Sequence, residues 1–164
     1  MSFEHKPIAA AAKPQLYAQL LEQARALLAD ESDPVANASN LAALIFHNLP
    51  HLNWAGFYFY DGKELVLGPF QGKVACVRIA IGRGVCGTAA ELRRTVVVPD
   101  VFAFPGHIAC DTASRSELVV PLLQGDRLLG VLDLDSPVPE RFDENDSRGL
   151  EALAQAWIDG SRHG

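Results

Sequence analysis

The stretch "ELVVPLLQGDRLLGVLDLDS", residues 117–136, alternates apolar and polar side chains on either side of Gly125-Asp126. A period of two marks strands, and a Gly-Asp pair between two such runs marks a tight hairpin turn. A two-residue turn there pairs Gln124 with Arg127 and, further back, Glu117 with Leu134. On the downstream strand Leu129, Val131, Asp133 and Asp135 then share one face, and Leu128, Leu132 and Leu134 the other. This register puts Glu117 on the face away from Asp133 and Asp135 unless a bulge intervenes. Pro121, which cannot donate to a ladder, is the expected place for one. Two carboxyls on one apolar strand are costly if buried without partners. Either they are solvated near the strand end, or they floor a polar pocket that binds a cation or gives up a proton.

Upstream, "NWAGFYFYDGKELVLGPFQG", residues 53–72, is a second hairpin around Asp61-Gly62. "KVACVRIAIG", residues 73–82, reads as a further strand, the glycine-flanked segment 82–94 as a turn into a short helix, and "TVVVPD", residues 95–100, as a short strand. Residues 99–116 follow neither period, and a loop that long in a compact domain is usually functional. Leu16, Leu20, Leu21, Ala24, Leu27 and Leu28 give residues 14–29 an apolar stripe at helical spacing, a candidate homodimer contact. A second helix starts at Asp33-Pro34 and is closed by Pro50. A last one, 144–160, is capped by Asp143 and buries Leu150, Leu153, Ala154, Trp157 and Ile158. The order predicts an α+β fold: a central, mainly antiparallel six-stranded sheet with the N- and C-terminal helices on one face. One domain, 1–164, is expected, with 1–12 as a flexible segment.

The composition excludes several classes of function. An apolar content of 49% is too high for disorder. No apolar run reaches the ~20 residues of a membrane span, and the N-terminus lacks a signal-peptide core. A net charge of −6, with no basic cluster beyond pairs such as Arg93-Arg94, argues against nucleic acid or an anionic membrane as partner. A cytoplasmic protein is expected.

Three cysteines, an odd number, do not make a closed disulfide framework, and without a CxxC pair their spacing does not support a metal site. Inert thiols or redox chemistry remain. Cys76, placed in a strand, reads as buried and inert. Cys86 stands at a helix start, where backbone N–H groups favour a thiolate. Cys110 lies in the long loop, exposed and mobile enough to form a sulfenic acid and then a disulfide. Spacing makes Cys86 or Cys110 the nucleophile and does not choose between them. Trp54 reads first as core, and His51, His107 and Arg115 as surface loop residues.

"NWAGFYF", "GPFQGKVACVRIAIGRGVCGTAAE", "VPDVFAFPGHIACDTASRSELVVPL" and "GVLDLDSP" followed by "RFDE" resemble the free methionine-(R)-sulfoxide reductases, single GAF domains, over roughly residues 30–157. The resemblance implies reduction of free L-methionine (R)-S-oxide, not of the sulfoxide within proteins, without metal or organic cofactor. It implies that Cys110 attacks, that Cys76 resolves it as a disulfide, that thioredoxin regenerates the thiols, and that Cys86 is the family's third cysteine. It makes Glu117, Asp133 and Asp135 the pocket acids, Asp135 the one nearest the departing oxygen, and Trp54 the pocket aromatic. A competing reading is a non-catalytic GAF module that binds a small ligand such as a cyclic nucleotide. That reading leaves the cysteines unexplained.

Overall fold

The computed structural model describes residues 12–108 and 110–164. Its elements run α1 (Lys13–Leu28), α2 (Pro34–Asn48), β1 (Trp54–Tyr60), β2 (Glu64–Gly72), β3 (Arg78–Ala80), α3 (Gly84–Leu92), β4 (Val96–Val98), β5 (Ser116–Gln124), β6 (Arg127–Ser136) and α4 (Glu144–Gly160). The expected flexible segment 1–12 lies outside the described residues except for Ala12, the N-cap of α1. Among the described residues, no helix is long and apolar enough to cross a membrane.

The six strands form one sheet in the order β3-β2-β1-β6-β5-β4, and all neighbouring pairs are antiparallel. One face carries α1, α2 and α4 over a core that includes Ala55, Phe57, Leu118, Val120, Leu132 and Leu134. The helix ends are set by their caps. The Asp33 carboxylate accepts from the Ala36 N–H, and Asp143 and Asp146 form a reciprocal capping box at the start of α4. Trp157 of α4 is buried against Phe57 and Phe59, and its indole N–H donates to the Pro34 carbonyl at 3.0 Å. On α1, Tyr17, Leu20 and Ala24 are buried in this core, and Leu16, Leu21 and Leu27 pack against it partly exposed.

The hairpin β5–β6 departs from the simple register. Gln124 pairs with Arg127 and Leu123 with Leu128, but Leu122 pairs with Gly130, so Leu129 is an extra residue. The bulge is on β6, not at Pro121. Its cause is Gly130, where φ is +155° and a Cβ would lie 2.1 Å from the Tyr58 carbonyl oxygen of β1. Only glycine permits that approach. Leu129 therefore joins Leu132 and Leu134 on the helical face, and Leu128 the opposite face. Beyond the bulge, Glu117 pairs with Asp135.

The third strand is shorter than its pattern suggests, and Cys76 lies before it in the connection 73–77. β3 pairs Ala80, Ile79 and Arg78 with Glu64, Leu65 and Val66. Continuing that ladder would set Cys76 and Ala75 against Gly68 and Pro69, at the irregularity in β2, where proline has no N–H to offer.

Candidate active site

The sheet face away from α1, α2 and α4 is closed by α3 and by residues 99–108 and 110–115. Three adjacent strands put Trp54, Asp135 and Glu117 in one row, because Trp54 pairs with Asp135 and Asp135 with Glu117. Asp133 stands two residues along β6, between Gly56 and Val119. Gly56 leaves space there: a Cβ would sit 2.8 Å from the Trp54 ring and 2.3 Å from Cβ of Phe70. The indole folds over this gap and stacks on Phe70 at 5.2 Å, with its N–H donating to the Lys73 carbonyl.

Trp54, Glu117, Asp133 and Asp135 line a cavity of about 40 Å³ together with Tyr58, Cys86, His107, Ile108, Cys110 and Ser114. Cys76 and Cys110 are joined by a disulfide at its edge, Cα atoms 5.6 Å apart, a separation ordinary for the bond. The Tyr58 hydroxyl donates to the Cys76 carbonyl at 2.9 Å and fixes that side. The loop is tied down by Asn53, whose amide donates to Asp111 and to Ser114, both at 3.0 Å, and by the Arg115 N–H donating to the Ser136 carbonyl. Ile108 rests on Gly84, where a Cβ would approach it to 3.1 Å.

The electrostatics are one-sided. Like charges facing each other across strands destabilise a sheet, and Glu117 and Asp133 are buried. Among the described residues, no lysine or arginine ion-pairs with these acids. Burial, reinforced by the neighbouring carboxyls, raises all three acids well above the usual carboxylate range. The basic side chain that reaches them is His107, Nε2 3.6 Å from Glu117 Oε2, and burial lowers the pKa of its imidazole.

Two expectations change here. The helix start does not make Cys86 a thiolate: it is buried beside Glu117 and Asp133, and burial followed by those charges pushes its thiol up. Its Sγ lies 4.0 Å from Glu117 Oε1. His107 is no surface residue but lines the pocket. Tyr58 and Asn53 were also missed. Tyr58 could have been found from its shared face with Trp54, whereas nothing in the spacing singles out Asn53.

Residues 35–157 match the GAF domain family model. The chain is 50% identical over 141 residues to free methionine-R-sulfoxide reductase of Escherichia coli, covering 86% of each. The structure of free methionine-R-sulfoxide reductase from Neisseria meningitidis in complex with its substrate superposes with a TM-score of 0.91 at 47% identity, over 96% of this chain and 95% of that one. A protein from Burkholderia vietnamiensis described as a GAF sensor is 62% identical, with a TM-score of 0.90 over 92% of this chain and 96% of that one.

Proposed function

The chain belongs to the GAF-domain family of free methionine-R-sulfoxide reductases, and from that premise we propose that it reduces free L-methionine (R)-S-oxide to methionine with its own thiols, in the cytoplasm. The observation that carries this reading is the Cys76–Cys110 disulfide at the edge of a cavity lined by three carboxyls and Trp54.

In the reduced protein the Cys110 thiolate attacks the sulfoxide sulfur, and Asp135 gives a proton to the oxygen. The S–O bond of the substrate breaks as the protonated oxygen leaves as water, and water at the Cys110 sulfur then cleaves the transient bond between the two sulfurs, which releases methionine and leaves a sulfenic acid on Cys110. The methionine sulfur gains two electrons and the Cys110 sulfur loses two. The Cys76 thiol then displaces the hydroxyl as water and forms the disulfide. A dithiol reductant, thioredoxin, restores both thiols and is itself oxidised. Glu117 and Asp133 receive the substrate's ammonium, a group that an internal residue of a polypeptide lacks, and this restricts the enzyme to the free amino acid. Trp54 walls the methyl group. Cys86, kept protonated by its surroundings, neither attacks nor resolves but contributes an S–H donor to Glu117.

The oxidised form is a closed product state. A cavity of about 40 Å³ is far below the roughly 300–1,000 Å³ of small-molecule pockets. Reduction frees the loop to admit substrate. The test is a steady-state assay with separated epimers and a thiol count. Methionine should form from the R epimer alone, and two thiols per chain should vanish without reductant. Equal turnover of both epimers, or an unchanged thiol count, refutes the reading and favours a binding module.

A further inference from the structure

Cys86 of α3, Glu117 of β5 and Asp133 of β6 bring Sγ and one oxygen each to within 4.8 Å of one another, and all three are buried. Asp133, only 5% exposed, has no hydrogen-bond partner for its Oδ1. The second oxygen of Glu117 faces His107 Nε2 at 3.6 Å, so an imidazole stands at the rim of the same cluster. A buried, unpartnered acceptor beside a thiol and a second carboxyl is a set of donors aimed at a common point. The Cys86 thiol spends its proton on Glu117, but hydrogen bonding among the described residues leaves Asp133 Oδ1 unused.

The donor types choose the ion. Magnesium and calcium take six or more oxygens and have no use for a thiol. Zinc takes thiolate, imidazole and carboxylate together, four at a time, at about 2.3 Å for sulfur and about 2.0–2.2 Å for nitrogen and oxygen. Those bond lengths set tetrahedral ligand–ligand separations of about 3.3–3.7 Å. A cluster spanning up to 4.8 Å reaches that size by side-chain shifts of about an ångström.

We propose that Cys86, Glu117 and Asp133 form a binding site for a thiophilic divalent cation, Zn²⁺ foremost, with a water as fourth donor and His107 at the rim, and that the ion bound there excludes the substrate. Cys86 binds as thiolate and its proton leaves to solvent, with no change in oxidation state. Exclusion follows because Glu117 and Asp133, which hold the ammonium of the amino acid, become ligands of the ion. That clause rests on the function proposed above; the binding does not. The site makes the enzyme sensitive to free zinc independently of the Cys76–Cys110 pair.

The test uses the disulfide-closed protein, in which Cys76 and Cys110 cannot act as ligands, and Co²⁺ as a coloured probe for Zn²⁺. One Co²⁺ per chain should bind, with a near-ultraviolet thiolate-to-cobalt band and visible bands of tetrahedral strength that Zn²⁺ bleaches. Cys86→Ser should abolish the thiolate band. Asp133→Asn and Glu117→Gln should each weaken binding by at least the roughly 10–100-fold typical of changes around a metal site. Thermal unfolding checks that each variant is folded, and the two carboxyl variants decide the matter should Cys86→Ser not fold. Absence of stoichiometric Co²⁺ binding, or a thiolate band that survives in Cys86→Ser, overturns the site. Binding that leaves methionine sulfoxide turnover by the reduced enzyme unaffected by Zn²⁺ overturns exclusion alone, and loss of turnover without metal speaks only to the proposed reaction.

Discussion

Glu117→Gln should make the oxidised protein more stable while impairing the enzyme. Glu117 is buried and paired directly with Asp135 across the strands, and its carboxyl is raised by burial first and Asp135 second. A raised folded-state value means that the native protein holds a proton that the unfolded chain releases. Its stabilising share is complete below the unfolded-state value of about 4.3 and is lost as pH rises toward the raised folded-state value. A raised carboxyl costs about 1.4 kcal/mol for each unit by which its folded-state value exceeds the unfolded one, which at pH 7 bounds the cost at about 4 kcal/mol. Gln carries no charge at any pH and keeps an oxygen to accept from the Cys86 thiol. Relief of Asp133 and Asp135 is shared with that figure, so about 1–3 kcal/mol should appear at pH 7 and almost nothing near pH 4. For a chain of this size that is a rise of about 2–10 °C in Tm. The assay is thermal unfolding of both proteins from pH 4 to 8 in non-reducing buffer. A variant that is less stable at pH 7, or a difference that does not grow with pH, refutes the idea that the acids are held together against their own repulsion.

Three further outcomes are expected. Gly130→Ala should destabilise by about 2–4 kcal/mol in urea unfolding, because its Cβ meets the Tyr58 carbonyl and its φ is strained for alanine. Rescue of the wild-type midpoint by a compensating register shift would show up as lost activity instead. Asp135→Asn should slow single-turnover methionine release by about 10²-fold or more and alter substrate affinity less, the pattern of a lost proton donor. Trp157→Ala, in the core on the helical face, should cost about 3–5 kcal/mol by denaturant titration but leave the rate constant of folded protein nearly unchanged, since the ring is remote from the pocket.

What was legible in the sequence was what alternation and capping encode locally. The Asp133/Asp135 face, the caps at Asp33 and Asp143, and the turn at Gly125-Asp126 are all present in the fold. The faces of Leu128 and Leu129 were not, because a bulge costs one residue of register, and its cause is a contact between Gly130 and Tyr58, on a strand 72 positions earlier. The same kind of distance hid the surroundings of Cys86. Helix position argues for a thiolate, but burial against acids from two other strands decides otherwise. Cys76 was read as a strand residue because the apolar pattern runs through it, and the irregular partner in β2 ends the ladder first. Glu117 came to the site through a resemblance to known proteins and not through its own spacing, which pointed the wrong way until the bulge was known.

The division of labour between Cys110 and Cys76 is the central claim. Its most direct measurement is anaerobic single turnover of reduced Cys76→Ser and Cys110→Ser with the free R-sulfoxide and no reductant. Cys76→Ser should release one methionine per chain and leave a sulfenic acid on Cys110 that a dimedone-type reagent traps, while Cys110→Ser releases none. Normal methionine release from Cys110→Ser, together with none from Cys86→Ser, would transfer the attack to Cys86 and contradict the account.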